Sequence, residues 1–449
     1  MTLFFTTVTL LTVSFVLTAY NNINDTYYKA PTPLINFVFL DDQNNVNISY
    51  RIDDDRKINK KMYYLYQKES TTPALDDKNW KEIKDYRISY KLDENIYYVF
   101  IKNEDDHIFR VKDTEELGKV ENLKISKDKV YLAINGEYNL LSTYSTLGNV
   151  TSTLTWISDD STIASVDQEG HVKAHKKGKT KIKATILNEE VYADVTVTDL
   201  ITLRPKEYNS KKSYLSCGRY TKEENDLLDE ILKDRINEVG YKTRAGAVEA
   251  ARFLALEFPY KIRYFSENGR GSTNGVDGEG RYYHVGLYLD ESRYAGIRKK
   301  ANGPKTWGCS LYSRPSHGSR SNGLDCSGFV SWVLLNGGFD VGDIGAGLAP
   351  HLDLTDYGER IKFNANVVNS GKVKVGDLLS SGGVNGGHIA IIVGEDNNYY
   401  YVAESLWTPP NVAVVIIPYS KKNLFNRYYY VMLMDSYYKE DGKLTKLWY

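Results

Sequence analysis

Apolar and polar positions alternate through the first two hundred residues. Runs at 34–40, 46–52, 62–67, 87–92 and 96–102 each predict a short strand, with Asn, Asp and Pro between them. Tyr97, Val99 and Ile101 alternate with Tyr98, Phe100 and Lys102, the period of a half-buried strand. Short strands at this spacing predict an immunoglobulin-like β-sandwich over 30–118. A second β unit is predicted over 120–198. Leu154-Thr155-Trp156 supplies a strand with a large aromatic, Gly170-His171-Val172-Lys173-Ala174 another, and 191–197 closes with clean alternation.

The period changes near residue 221. Thr221-Lys222-Glu223-Glu224 is a capping box. Leu227, Leu228, Ile231, Leu232, Ile236 and Val239 then trace one helix face, and Gly240 ends it. A second helix is predicted over 243–257, stopped by Phe258-Pro259. Residues 200–220 are expected as a linker, and 200–290 as linker plus helical subdomain. The stretches 268–287 and 302–322 are Gly-rich and aromatic without regular period, and are expected as walls or a lid of a cleft. Phe329, Val330, Val333 and Leu334 recur at helical spacing before Gly337-Gly338, so a helix should open at Cys326. The β-branched run after His388, bounded by glycines, predicts a buried strand. A strand and turn are predicted over 373–379. A further strand is predicted over 399–403, with Glu404 at its end. The expected fold class is multidomain: β-sandwich modules followed by an α+β domain.

The chemistry concentrates in two segments, Leu324-Asp325-Cys326-Ser327-Gly328-Phe329-Val330 and Gly387-His388-Ile389-Ala390-Ile391-Ile392-Val393-Gly394. A thiolate is a strong nucleophile when something favours its charged form. A helix N-terminus and a nearby imidazole both do so. Asp325 is placed to cap the helix, and Gly328 removes a side chain beside the thiol. Read singly, Cys326 is a packed structural cysteine and His388 a satisfied core residue. Read together with Glu404, they stand in the order a Cys–His–orienter site needs.

These two segments, with Val375-Gly376-Asp377-Leu378, resemble the NlpC-type cell-wall cysteine peptidases over 295–440. That resemblance implies a reduced papain-like fold, a cysteine helix on a small antiparallel sheet. It implies Cys326 as nucleophile, His388 as base and peptidoglycan peptides as substrate. The third position in that family is often His, Asn or Gln. Glu404 departs from this and is similar to the related Cys–His–Glu amidase/peptidase group. By the same resemblance Tyr312 would line the oxyanion pocket, and Asp325 and Ser327 would contact a substrate amine. Capping alone also explains Asp325. Two other readings stand beside hydrolysis of stem peptides or cross-bridges. One is an N-acetylmuramoyl-amide hydrolase or acyltransferase on the same fold. The other is an inactive wall-binding or adhesion protein. The second β unit, 120–198, resembles the group-two bacterial immunoglobulin-like domain. That implies its fold, and leaves spacer or cell-wall polymer contact open as its role.

Composition changes this picture little. The 449 residues carry 57 Lys plus Arg and 58 Asp plus Glu, a net charge of −1. No basic face points to nucleic acid. The 37 tyrosines suit strands and polar-aromatic surfaces. Three cysteines make no disulfide framework, and Cys217 with Cys309 is left open as a pair. No His/Cys/Asp cluster has metal-ligand spacing, so no metal or cofactor is expected. Asp41-Asp42 and Asp53-Asp54-Asp55 read as solvated turns, His171 and His175 as surface, and His317 and His351 as spare histidines. Leu3 to Ala19 is apolar and uncharged, but no basic segment precedes it. Residues 1–20 are expected as a signal peptide or membrane anchor of an exported protein, held at the cell surface, in the cell wall or secreted.

Overall fold

The computed structural model describes residues 32–41, 43–53, 61–93, 97–111, 119–148, 150, 152–205, 208–209, 213–264, 285–287, 307–308, 310–314, 318–321, 323–341, 359–382, 387–408 and 413–445. The expected leader, Cys309, His317 and His351 lie outside them, as do Asp42, Asp54 and Asp55. Among the described residues no helix is long and apolar enough to cross a membrane. The chain forms two compact units. The first holds the described residues up to Val130 with Glu137–Lys173 and Lys179–Thr196; the second holds Tyr131–Gly136, Ala174–Gly178 and Val197 onward.

Among its described residues the first unit is β, and it holds one immunoglobulin-like sandwich and most of a second. Seven strands make the first: β1 (Thr32–Leu40), β2 (Asn45–Asp53), β3 (Met62–Gln67), β4 (Lys81–Glu82), β5 (Arg87–Lys91), β6 (Tyr98–Asn103) and β7 (Ile108–Arg110). They form sheets ordered β1-β2-β5 and β4-β3-β6-β7. Val46, Ile48 and Ile88 of one sheet meet Met62, Val99 and Ile101 of the other in a buried core, because alternation sends every second side chain inward. Asp41 accepts hydrogen bonds from Asn45 and Asn47, the local satisfaction expected of an Asp-rich turn.

The second sandwich comprises β8 (Lys119–Ile125), β9 (Lys129–Ala133), β10 (Glu137–Asn139), β11 (Ser142–Leu147), β12 (Thr155–Ser158), β13 (Ala164–Val166), β14 (His171–Ala174), β15 (Gly178–Ile186) and β16 (Glu189–Thr198). Its sheets run β12-β15-β16-β9, β10-β14-β13 and β11-β8. Trp156, Val172, Ile182, Ala184 and Val195 are buried. Gly170 makes that packing possible. Its φ is +85°, and a Cβ there would lie 2.3 Å from the Leu140 carbonyl oxygen and 3.2 Å from the Trp156 ring. His171 is exposed and bonds to Asp167 at 2.9 Å.

The second unit begins with helices. α1 (Lys222–Val239) opens on Thr221, with the capping box to Glu224 in place, and buries Leu228, Ile231, Leu232 and Ile236. α2 (Arg244–Arg252) is buried throughout and continues as one π-turn, Phe253–Glu257. The single helix expected over 243–257 is therefore two geometries. The widened turn delivers the buried Glu257 carboxylate to Arg235 (2.9 Å) and Arg204 (3.5 Å). Residues 200–220 are not a free linker. Leu200, Ile201 and Leu215 are buried, Thr202 N–H donates to the Glu257 carbonyl, and Ser213 and Leu215 pair with Lys261. Their apolar side chains and Arg204 tie the segment into the core. Cys217, in the same segment, is disulfide-bonded.

The stretch 302–322, expected without regular structure, contains a hairpin of β17 (Ser310–Arg314) and β18 (Gly318–Ser321). α3 (Cys326–Asn336) follows and is buried on nearly every face, as a helix apolar all round must be. It packs against α2, and both helices pack on one sheet. That sheet contains β19 (Glu359–Lys362), β20 (Leu378–Ser380), β21 (Ile389–Glu395), β22 (Tyr399–Ser405), β23 (Val414–Ser420) and β24 (Tyr430–Leu433). Its order is β19-β24-β20-β21-β22-β23 and its pairings are antiparallel. Two short helices, α4 (Ala365–Asn369) and α5 (Asp435–Tyr438), precede β20 and follow β24 in the chain. Within 373–379 only the end is strand; residues 375–376 form a turn. The buried Arg244 of α2 reaches that turn, bonding Asp377 at 2.9 Å and the Val375 carbonyl at 3.0 Å.

Candidate active site

The site forms where the start of α3 meets the ends of β21 and β22. Cys326 is the first residue of α3, and Asp325 caps it by accepting from the Gly328 N–H at 2.8 Å. The helix start leaves backbone N–H groups without helical partners and favours negative charge there. Cys326 is a free cysteine and buried. Antiparallel register does the rest: Ile391 pairs with Ala403, so the chain entering β21 runs beside the end of β22. His388 stands at that entrance and Glu404 at that end. Ser381 fixes the His388 backbone through two hydrogen bonds.

The three predicted residues are brought together. The Cys326 and His388 side chains are hydrogen-bonded. His388 Nε2 donates to Glu404 Oε2 at 2.5 Å, which leaves the other ring nitrogen to the thiol. Burial pulls the His388 pKa down, but the bonds to Cys326 and Glu404 outweigh it and raise it to about 9. Glu404 is 0 % exposed. Burial disfavours its charge, yet His388, Tyr419 and Arg427 together hold its carboxyl below the usual range. Tyr419 donates to Oε1 at 2.6 Å and Tyr428 to Oε2 at 2.7 Å, with Arg427 Nη2 3.4 Å from Oε2.

The tyrosine at the thiol is Tyr264. Its hydroxyl is hydrogen-bonded to Cys326, and burial, then the negative charges of Cys326 and Asp325, raise its pKa far above the ordinary value. It therefore stays a donor at neutral pH. The backbone explains its position. Ile262 O accepts from Val414 N–H, and Arg263 O accepts from Leu324 N–H, so this strand-like piece is held between β23 and the approach to α3. Tyr312, predicted for this place, lies on β17 opposite Arg320; its side chain is outside the described residues. Asp325 and Ser327 are buried, and the Ser327 hydroxyl donates to Asp325 at 3.2 Å. Both residues hold the helix start, Asp325 accepting from the Gly328 N–H as well as from Ser327. Trp407 is 56 % exposed and packs edge-on against Tyr264 with centroids 5.5 Å apart.

Tyr264, Tyr419, Arg427 and Tyr428 were not legible as site residues. Tyr260, Ile262 and Tyr264 alternate directly after Pro259, a strand signal that would have placed Tyr264 on an extended segment. No motif marks the other three. Among the described residues no group of three His, Cys, Asp or Glu side chains is arranged to hold a metal ion.

Residues 119–197 match the bacterial Ig-like domain (group 2) family, and that segment is such a domain. No curated protein matches the chain. Solved structures similar to parts of it include the following three. Domains 4 and 5 of the S-layer protein SbsC share 20% identity over 23% of this chain and 64% of that one, TM-score 0.17. This chain thus spans less than two thirds of that fragment's length. A C-terminal 282-residue fragment of intimin, in complex with the intimin-binding domain of the translocated intimin receptor, shares 14% over 45% and 71%, TM-score 0.25. An EHEC O157:H7 intimin mutant shares 20% over 27% and 69%, TM-score 0.18.

Proposed function

We propose that this chain is an exported cysteine hydrolase that cleaves amide bonds in peptidoglycan stem peptides or cross-bridges. The observation that carries it is the connected set Cys326–His388–Glu404, with the thiol at a helix start and the carboxylate fully buried behind the imidazole. A cysteine helix packed on an antiparallel sheet is similar to the reduced papain arrangement of the NlpC-type peptidases. That resemblance, on the Asp-Cys-Ser-Gly and Gly-His segments, supplies the substrate class. The disulfide at Cys217 fits an oxidising compartment, which supports export.

His388 held as imidazolium is the counter-ion a thiolate needs. Cys326 Sγ attacks the amide carbonyl carbon, and the oxyanion that forms lies near the Cys326 N–H and the Tyr264 hydroxyl. His388 gives its proton to the leaving amine as the C–N bond breaks, leaving a thioester. His388 then takes a proton from water, whose oxygen attacks the thioester and releases Cys326. Glu404 holds the ring orientation and balances its charge throughout.

The Ig-like domain at 119–197 favours a second reading, a catalytically silent wall-binding or adhesion protein, since that fold serves spacers and adhesins alike. Iodoacetamide at neutral pH separates the two. An active site predicts that Cys326 in the native chain is alkylated faster than in the urea-unfolded chain. Equal or slower alkylation supports the silent protein. The termini of released products would distinguish an N-acetylmuramoyl-amide hydrolase or an acyltransferase from a peptidase.

A further inference from the structure

Glu404 carries more support than orienting one histidine requires. Its four polar neighbours come from three places: His388 ahead of β21, Tyr419 on β23, and Arg427 with Tyr428 in the turn before β24. Tyr428 is fully buried, its ring lies 6.0 Å from that of His388, and the two tyrosine rings meet edge to face. Arg427 packs over both rings, 5.2 Å and 5.6 Å from their centroids. A carboxylate with no exposure keeps its charge only when its lone pairs are filled. We propose that Tyr419, Tyr428 and Arg427 are positioning residues that hold Glu404 as a carboxylate and so set the lowest pH at which the Cys326–His388 pair is reactive. The other ionisable groups facing the pair, Tyr264 and Asp325, act on the thiol side.

The logic is a proton inventory. With fewer donors, the buried carboxylate is costlier to keep charged. The proton shared with His388 then shifts toward Glu404, and the imidazole becomes neutral. The thiolate loses its counter-ion, so more alkaline solution is needed to form it. This inference rests on Cys326 acting as the nucleophile, and not on the identity of the substrate.

The test is the rate of Cys326 alkylation by iodoacetamide against pH in the full chain. It would compare Tyr419→Phe, Tyr428→Phe, both together, Arg427→Lys, and Glu404→Gln as the limit. Each phenylalanine keeps the ring and removes only the hydroxyl. The acid-side midpoint should rise by about one pH unit per hydroxyl, a roughly tenfold slower rate on that limb. The alkaline plateau should stay unchanged in the Tyr419→Phe and Tyr428→Phe variants, and Arg427→Lys should shift least. An unmoved midpoint in variants with native circular dichroism would overturn the proposal, as would a lowered plateau with an unmoved midpoint. If Tyr428→Phe does not fold, Tyr419→Phe at the partly exposed strand edge decides alone. A shifted midpoint without any wall digestion would sustain this proposal while removing the peptidoglycan reading.

Discussion

Ser405 and Leu324, 81 residues apart, are joined by a 2.7 Å hydrogen bond from the serine hydroxyl to the leucine carbonyl, both buried. The bond ties the end of β22 to the chain entering α3. It thereby fixes the carboxylate strand against the nucleophile helix. Glu404→Gln tests what that arrangement serves. The amide can donate to Nε2 and favour the wrong tautomer, so kcat should fall about 10²- to 10⁴-fold while folding persists. Unchanged kcat in folded protein would remove Glu404 from the site.

Tyr264 makes a separate contribution. Its hydroxyl donates beside Cys326 and stays protonated at neutral pH. Tyr264→Phe keeps the packing on Trp407 and removes one donor to the oxyanion. kcat should drop about 10²-fold with little change in KM. A rise in KM alone would show a substrate-binding residue instead.

Stability should fall in alkaline solution because of His388. The folded chain holds that proton to about pH 9 against an ordinary 6.5. The stabilisation is present in full below about pH 6.5 and is lost as pH rises through about 9. At about 1.4 kcal/mol per pH unit, the loss is on the order of 3 kcal/mol. Urea midpoints at pH 6.5 and 9.5 should separate more for the native chain than for His388→Gln. Equal separation would contradict the assignment.

Arg244 and Asp377 form an ion pair in which both side chains are 1% exposed. Burial raises the Asp377 carboxyl despite Arg244 and two backbone donors, so the charge depends on its partner. Arg244→Met leaves that carboxylate unpaired and should cost about 3–5 kcal/mol in urea unfolding. A cost below about 1 kcal/mol would show that the pair does not hold α2 to the sheet.

Local signals predicted much of this. Alternation placed β1, β2, β3, β5 and β6 of the first sandwich and β12, β14 and β16 of the second, because each has one face inward; β4, β7, β9, β10 and β11 carry no such signal and were not anticipated. Thr221 and Glu224 marked the start of α1, and Asp325 with Gly337 bounded α3. The Cys326, His388 and Glu404 constellation was legible because each residue stands at the end of an apolar run. The tyrosine pair and Arg427 were not, because they reach Glu404 only through strand order. The segment at 200–220 misled because Leu200, Ile201 and Leu215 are too sparse to show a period. They are buried in a core built largely from elements that follow them in the chain.

The most direct measurement is mass spectrometry of fragments released from purified peptidoglycan by the full chain and by Cys326→Ala. The account predicts new amide-derived termini with the unaltered chain and none with the variant. Identical fragments from both, or none from either across several wall chemistries, would contradict a Cys326 hydrolase of the cell wall.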